Sequence, residues 1–278
     1  MSLVAQMADA MGAGWAVEFA EVYLDESESD NHRWLIVAGW AFSKEGREAL
    51  HREWFALLSA WGLPYFHMGP CTHGNPPFDR FTDPERDVIA RQFFEVLKRH
   101  AIVGFASSYD LRLAHLCPHA VNAEGKRLFH VTPYSLSCYW ALLFAKNWAD
   151  KIDYRGRIAY FFEAGHQSKQ QANRLMGEIF SAPALKDIFR YGGHGFVIKQ
   201  ESAAVQCADI LAWQWSKNVK ERAHGNMKPR ADLLALLEAI PTNMTHFDEP
   251  TILGFLNVVR KNNAMEASSY VSGAIQEQ

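Results

Sequence analysis

Apolar and polar positions along this chain fall into blocks of two different periods. In the first block, Tyr23 and Asp25 share one side of an alternating segment, while Val22 and Leu24 share the other. Residues 17–25 therefore read as a strand, ended by the acidic turn Glu26–His32. The continuous apolar run Trp34–Phe42 predicts a second strand, so the two form a hairpin. Ser43 is an N-cap candidate for a helix over 44–61, with Leu50, Trp54, Leu57, Leu58 and Trp61 at helical spacing. Residues 62–82 carry Pro64, Gly69, Pro70, Gly74, Pro76 and Pro77, which predict a loop with at most a short strand at Tyr65–Met68. Loops this long in compact domains are often functional.

The remaining pattern alternates helices with strands. A helix starting at Thr82 or Asp83, with Pro84 in its first turn, runs to about His100. Ala101–Tyr109 predicts a strand ending at Asp110, and the His-rich residues 111–131 read as irregular. Pro133–Trp148 predicts a helix with an apolar and aromatic face. Arg157–Glu163 is a strand that again ends in an acid, and Gly165 breaks it. Ser168–Phe180 reads as a polar helix, Phe196–Lys199 as a short strand and Ala203–Val219 as a helix. A basic linker over 223–230 leads to helices at Asp232–Ala239 and Thr251–Lys261, with loose ends before residue 16 and after 261. Such alternation predicts an α/β fold whose sheet is made mixed by the opening hairpin. One domain is expected over 1–278, with its core at about 17–220 and a C-terminal helical extension at about 231–261.

Composition narrows the function classes. The chain is 49% hydrophobic and 21% charged, as a protein with a substantial core should be. Its net charge of -3 provides no general attraction for nucleic acid or anionic lipid, which leaves a local basic patch or a bound metal to attract a polyanion. No apolar run approaches the ~18 residues of a membrane span. Four cysteines, Cys71, Cys117, Cys138 and Cys207, are scattered with no Cys-x-x-Cys pair. The first twenty residues lack a signal-peptide pattern, so a reducing, cytoplasmic location is expected.

The candidate chemistry is acidic. Asp25 and Glu163 each sit at the end of a predicted strand. Gln206, Asp209 and Trp213 fall on one face of a helix whose other positions are apolar nearly all round, which predicts burial. A buried carboxylate needs a partner, and no Lys or Arg lies within helical reach of Asp209. A divalent cation shared with Asp25 and Glu163 would serve. Mg²⁺ and Mn²⁺ favour carboxylate oxygens, and one or two such ions can activate water against a phosphodiester. Glu26 is a candidate fourth ligand, although strand alternation points it away from Asp25. His67, in the Pro/Gly loop, is a candidate base, substrate contact or ligand. Lys169 and Arg174, and Lys228 and Arg230, are phosphate contacts or solvated cations. Cys71 and His73, with Cys117 and His119 and nearby His67 and His115, form a rival zinc pattern. Glycine-rich nucleotide-binding fingerprints are absent.

Three stretches together resemble a known family. Tyr23-Leu24-Asp25-Glu26-Ser27 precedes a hydrophobic strand, Phe161-Phe162-Glu163-Ala164-Gly165 lies in the middle, and Val205-Gln206-Cys207-Ala208-Asp209-Ile210-Leu211-Ala212 comes late. They resemble the bacterial domain-of-unknown-function family 3800, whose pattern is Asp-Glu-Ser-Gly early and Gln-x-Ala-Asp-x-x-Ala late. Glu28 stands where that family has its glycine. The resemblance spans roughly residues 20–220. It implies a ribonuclease-H-like mixed sheet flanked by helices, with Asp25, Glu163 and Asp209 at the family's acidic positions and His67 near a recurrent His. By analogy of fold it implies a Mg²⁺- or Mn²⁺-dependent phosphodiester hydrolase, nuclease-like, acting on nucleic acid or another phosphodiester. Gln206, Lys169 and Lys228 would then touch substrate or support the ligands. The alternative is a non-catalytic binding or scaffold module of the same fold, in a phage-defence or toxin-like system. In it the acids form a structural cluster, and Trp148, Trp213 and Trp215 serve a homo-oligomer interface.

Overall fold

The computed structural model describes residues 19–28, 33–119, 129–165 and 168–261. The loose ends and most of the acidic turn after Glu28 lie outside these residues. Six strands form one mixed sheet: β1 (Phe19–Glu28), β2 (Trp34–Ser43), β3 (Val103–Asp110), β4 (Arg157–Glu163), β5 (Tyr191–Val197) and β6 (Thr242–Phe247), in the order β5-β4-β1-β2-β3-β6. The β1–β2 and β2–β3 pairs are antiparallel; β1–β4, β4–β5 and β3–β6 are parallel. This is the ribonuclease-H-like arrangement, an antiparallel meander continued by parallel strands.

Alternation along the strands divides the core in two. Val22, Leu24, Ile158, Tyr160 and Phe162 face α4 (Pro133–Lys151), α5 (Lys169–Ile179) and α9 (Glu249–Lys261). Tyr23, Ile36, Trp40 and Phe42 face α1 (Lys44–Trp61), α3 (Asp83–His100), α7 (Ala203–Ala223) and α8 (Ala231–Ala239). Each large side chain buried in these layers contributes about 1.5–3 kcal/mol. Close contact between the central strands depends on Gly39, where a Cβ would collide with the Tyr23 carbonyl oxygen.

Local signals set the helix starts. Ser43 caps α1, its side chain accepting from Gly46 N–H, and Thr82 forms a capping box with Glu85 at the start of α3. Three sequence expectations need correction. The Pro/Gly loop holds a helix, α2 (Met68–His73), in place of a short strand, and α6 (Pro183–Ile188) follows α5. β5 starts at Tyr191 and stops at Val197, so Lys199 lies beyond it in a 3₁₀ turn, Lys199–Glu201. The C-terminal extension is not purely helical: β6 joins the sheet beside β3.

Candidate active site

The site lies where parallel strands end. The register that pairs Leu24 with Phe162 brings the next residues, Asp25 on β1 and Glu163 on β4, level with each other. Both side chains take the face that carries Tyr23 and Phe161, which stack at 4.8 Å just below them. Helix α7 crosses that face and presents Asp209. At the point where the three acids meet stands a cation. Lys199 Nζ lies 2.9 Å from Asp25 Oδ2, 3.2 Å from Glu163 Oε2 and 3.4 Å from Asp209 Oδ1. The three expected acids therefore do converge, from segments about 140 and 180 residues apart, and Lys199 is the partner that the sequence left unnamed.

Burial grades outward from Asp25. Its side chain is fully covered, Asp209 is 9% exposed, Lys199 11%, Glu163 16% and His67 37%. Burial is the main force on Asp25, and it holds this carboxyl well above the usual range. Lys199 opposes that shift, while Glu163 and Asp209 reinforce it. Asp209 also pays for burial, but Lys199, His67 and the Met68 N–H overcome the cost and hold its carboxyl below the usual range. Burial alone would discharge Lys199; the three acids reverse that and raise its ammonium above the ordinary value. Within one cluster, Asp25 is thus more easily protonated than Asp209.

Asp209 is held from two sides. Met68 N–H donates to Oδ2 at 2.8 Å, and His67 Nε2 lies 3.1 Å from Oδ1. His67 is the residue just before α2, so the Pro/Gly loop reaches the acids through two consecutive residues. Gln206, one turn before Asp209, is fully buried. Its Oε1 accepts from Trp54 Nε1 at 2.8 Å and Phe66 N–H at 2.7 Å, and its Nε2 donates to the Lys199 carbonyl at 2.9 Å. Gln206 fastens the His67 loop and the Lys199 turn to α7, and burial keeps it from the substrate contact expected of it.

The other expected residues are placed as follows. Glu26 follows Asp25 within β1, so its side chain takes the opposite side of the strand. Lys169 is exposed, its Nζ 5.0 Å over the Phe196 ring, on the sheet face that α5 covers and not on the one that Glu163 takes. Lys228 follows α7 in an exposed segment that turns back along the helix, so that Arg230 lies 5.2 Å over the Trp213 ring. The zinc pattern does not assemble: Cys71 packs in one core layer and Cys117 in the other, on opposite faces of the sheet, and the His119 side chain lies outside the described residues. Trp148, Trp213 and Trp215 are buried, at 8%, 9% and 5% exposure, and offer no broad interface.

Three carboxylates with hard oxygen donors suit Mg²⁺ or Mn²⁺. Asp25 Oδ2 adds a second sign of fit: it is buried and accepts no well-directed hydrogen bond, with Lys199 beside it only as a charge. As arranged, no group of three or more His, Cys, Asp or Glu among the described residues is set to hold a metal, and Lys199 Nζ stands between the three acids.

No family model matches the chain, and no curated protein matches it. No helix among the described residues is long and apolar enough to cross a membrane.

Proposed function

We propose that this cluster is the active site of a divalent-metal-dependent phosphodiester hydrolase, nuclease-like, that acts on nucleic acid or another phosphodiester. One observation carries the reading: Asp25, Glu163 and Asp209 surround a single point at the carboxyl ends of parallel strands, where sheets of this kind bind ligands. Membership of the bacterial family that the three motifs resemble accords with it. A cytoplasmic location goes with it too, since all four cysteines are buried and unpaired.

Mg²⁺ or Mn²⁺ held by Asp25, Glu163 and Asp209 would supply an activated water and offset charge on the phosphoryl oxygens. The chain's own groups have separate tasks. Asp209 fixes the orientation of His67 through Nε2, which leaves Nδ1 of the part-exposed ring to pass a proton to a leaving oxygen. Gln206 keeps that loop in place. Lys169, exposed at the start of α5, serves as a phosphate contact.

A second reading, the non-catalytic binding or scaffold module, is favoured by Lys199, whose ion pairs give the acids a structural purpose without any metal. One set of measurements separates the two. Calorimetry with Mn²⁺ should detect binding that Asp25→Asn or Asp209→Asn abolishes. Single- and double-stranded DNA and RNA should be cleaved with Mg²⁺ or Mn²⁺. No Mn²⁺ binding and no cleavage with any divalent metal would leave the scaffold reading.

A further inference from the structure

Lys199 has a firm backbone and a loosely held head. Its carbonyl is fixed by Gln206, but its Nζ donates only one long hydrogen bond, to Asp209 Oδ1 at 3.4 Å, and otherwise lies 2.9 and 3.2 Å from the Asp25 and Glu163 carboxylates as ion pairs. Two of these distances exceed the ~2.7–2.9 Å of a strong charge-assisted bond. An ammonium cannot draw three carboxylates closer, whereas Mg²⁺ takes oxygens at about 2.0–2.1 Å. One positive charge also faces three acids, one of which, Asp25, leaves a buried oxygen without a directed bond. The way out is open: Ile198, Gln200 and Glu201, on both sides of Lys199, are exposed, so the residue sits at the rim. Its four-carbon stem can carry the head from the centre to that rim.

We propose that Lys199 is the resident counter-ion of the acid cluster, giving up its place to the divalent cation and moving to the rim to meet a phosphodiester oxygen. The inference rests on the metal-dependent reading above. It makes cation entry and substrate binding two halves of one exchange. Without metal, the lysine prevents three buried acids from repelling one another. With metal, the same charge is released where an anionic substrate arrives.

The test uses the full chain and Mn²⁺ as probe. Lys199→Met should bind Mn²⁺ about tenfold more tightly than wild type, since the competing charge is gone. Equal or weaker binding by a folded Lys199→Met protein overturns the counter-ion role and leaves the metal-dependent reading intact. Failure of both proteins to bind Mn²⁺ overturns that reading, and this inference with it. Should the variant not fold, the wild type decides. Acylation of Lys199, followed by peptide mass spectrometry, should be slow without metal and several-fold faster with saturating Mn²⁺. Unchanged labelling overturns the exchange. A phosphorothioate dinucleotide added with Mn²⁺ should restore protection, and continued labelling overturns the phosphate contact.

Discussion

Helices α4 and α7 cover opposite faces of the same sheet, and both are buried over most of their surface. Their contents differ. α4 fills its interior with Leu136, Trp140, Leu142, Leu143 and Phe144, and its buried polar atoms include the hydroxyls of Ser135 and Ser137, the indole nitrogens of Trp140 and Trp148 and the amide nitrogen of Asn147, with no carboxylate among them. α7 brings Gln206, Asp209, Gln214, Ser216 and Asn218 inside. An apolar helix needs only packing partners. A buried amide and a buried carboxylate cost free energy unless every polar atom is answered, and apolar replacements are often as stable. Gln206 and Asp209 are answered by groups from four other segments: Trp54 on α1, Phe66, His67 and Met68 in the loop and at the start of α2, Lys199 after β5, and through it Asp25 on β1. α4 serves stability, and α7 gathers chemistry.

The strongest test of that contrast is Asp209→Asn. Asn keeps the shape and can still accept from Met68, yet removes the charge that the cluster is built around. Mn²⁺ affinity should fall by more than the ~10–100-fold typical of losing an outer-shell partner. Calorimetry reads this directly, and an unchanged affinity would break the distinction between the two helices. The converse substitution is Leu142→Ala on α4. Leu142 is fully buried, so the cavity should cost about 2–5 kcal/mol in urea unfolding while leaving Mn²⁺ affinity as it was. A parallel loss of metal binding would show that both faces hold up the site.

Those residues differ in how far the sequence announces them. β1, β2, α1, β4 and the start of α7 follow from local signals: period, cap and length. Asp25, Glu163 and Asp209 stand out because an acid beside apolar neighbours contradicts its surroundings. What the pattern hid lies mostly at the edges of the sheet. β5 contains Gly192, Gly193 and Gly195, and β6 reads Thr-Asn-Met-Thr-His-Phe. Edge strands are half solvated and need no apolar alternation, so the period that reveals β2 does not appear in them. Lys199 was hidden for a related reason. Asp209 has no cationic partner along its helix; the actual one follows the edge strand β5. Its signal was the third strand end at the same edge of the sheet, carrying the opposite charge. Gln206 stood in plain view, but only the fold shows that its amide is used up internally.

Gln206→Leu tests whether α7 organises the loop as well as carrying the acid. Volume is kept, but the Trp54 and Phe66 N–H groups lose their acceptor inside the core. The cost should be about 2 kcal/mol, since a buried unpaired donor costs about 1–3 kcal/mol and the loop can relax. Amide exchange supplies the specific readout. Phe66 N–H should lose its protection while Leu136 N–H on the α4 side, bonded to the Thr132 carbonyl, keeps its own. Retained protection of Phe66 would mean that the loop is held by its aromatic packing on Trp54, Phe78 and Phe93 instead.

The smallest effect is expected in the middle of α7, between one and two turns past Asp209, where Gln214 Nε2 donates to Asp232 Oδ2 at 2.7 Å and Arg230 pairs with the same carboxylate at 3.0 Å. Burial pushes the Asp232 carboxyl up, but Arg230 and Gln214 outweigh it and hold the group below its ordinary range. A folded-state value below the unfolded one means that the unfolded chain binds the proton first as pH falls. The contribution to stability is therefore complete above the ordinary carboxylate value and disappears as pH drops through the folded value. Asp232→Asn should flatten that acid limb and leave the stability difference between pH 7 and pH 8 unchanged, as urea titrations across pH can show. Mn²⁺ affinity should not move, because this contact binds α7 to α8 and touches none of the groups around Lys199, although Gln214 stands only ~7.5 Å of helix from Asp209. A change in metal binding would show that α7 transmits strain from this packing contact to Asp209, and the separation between the two would have to be abandoned.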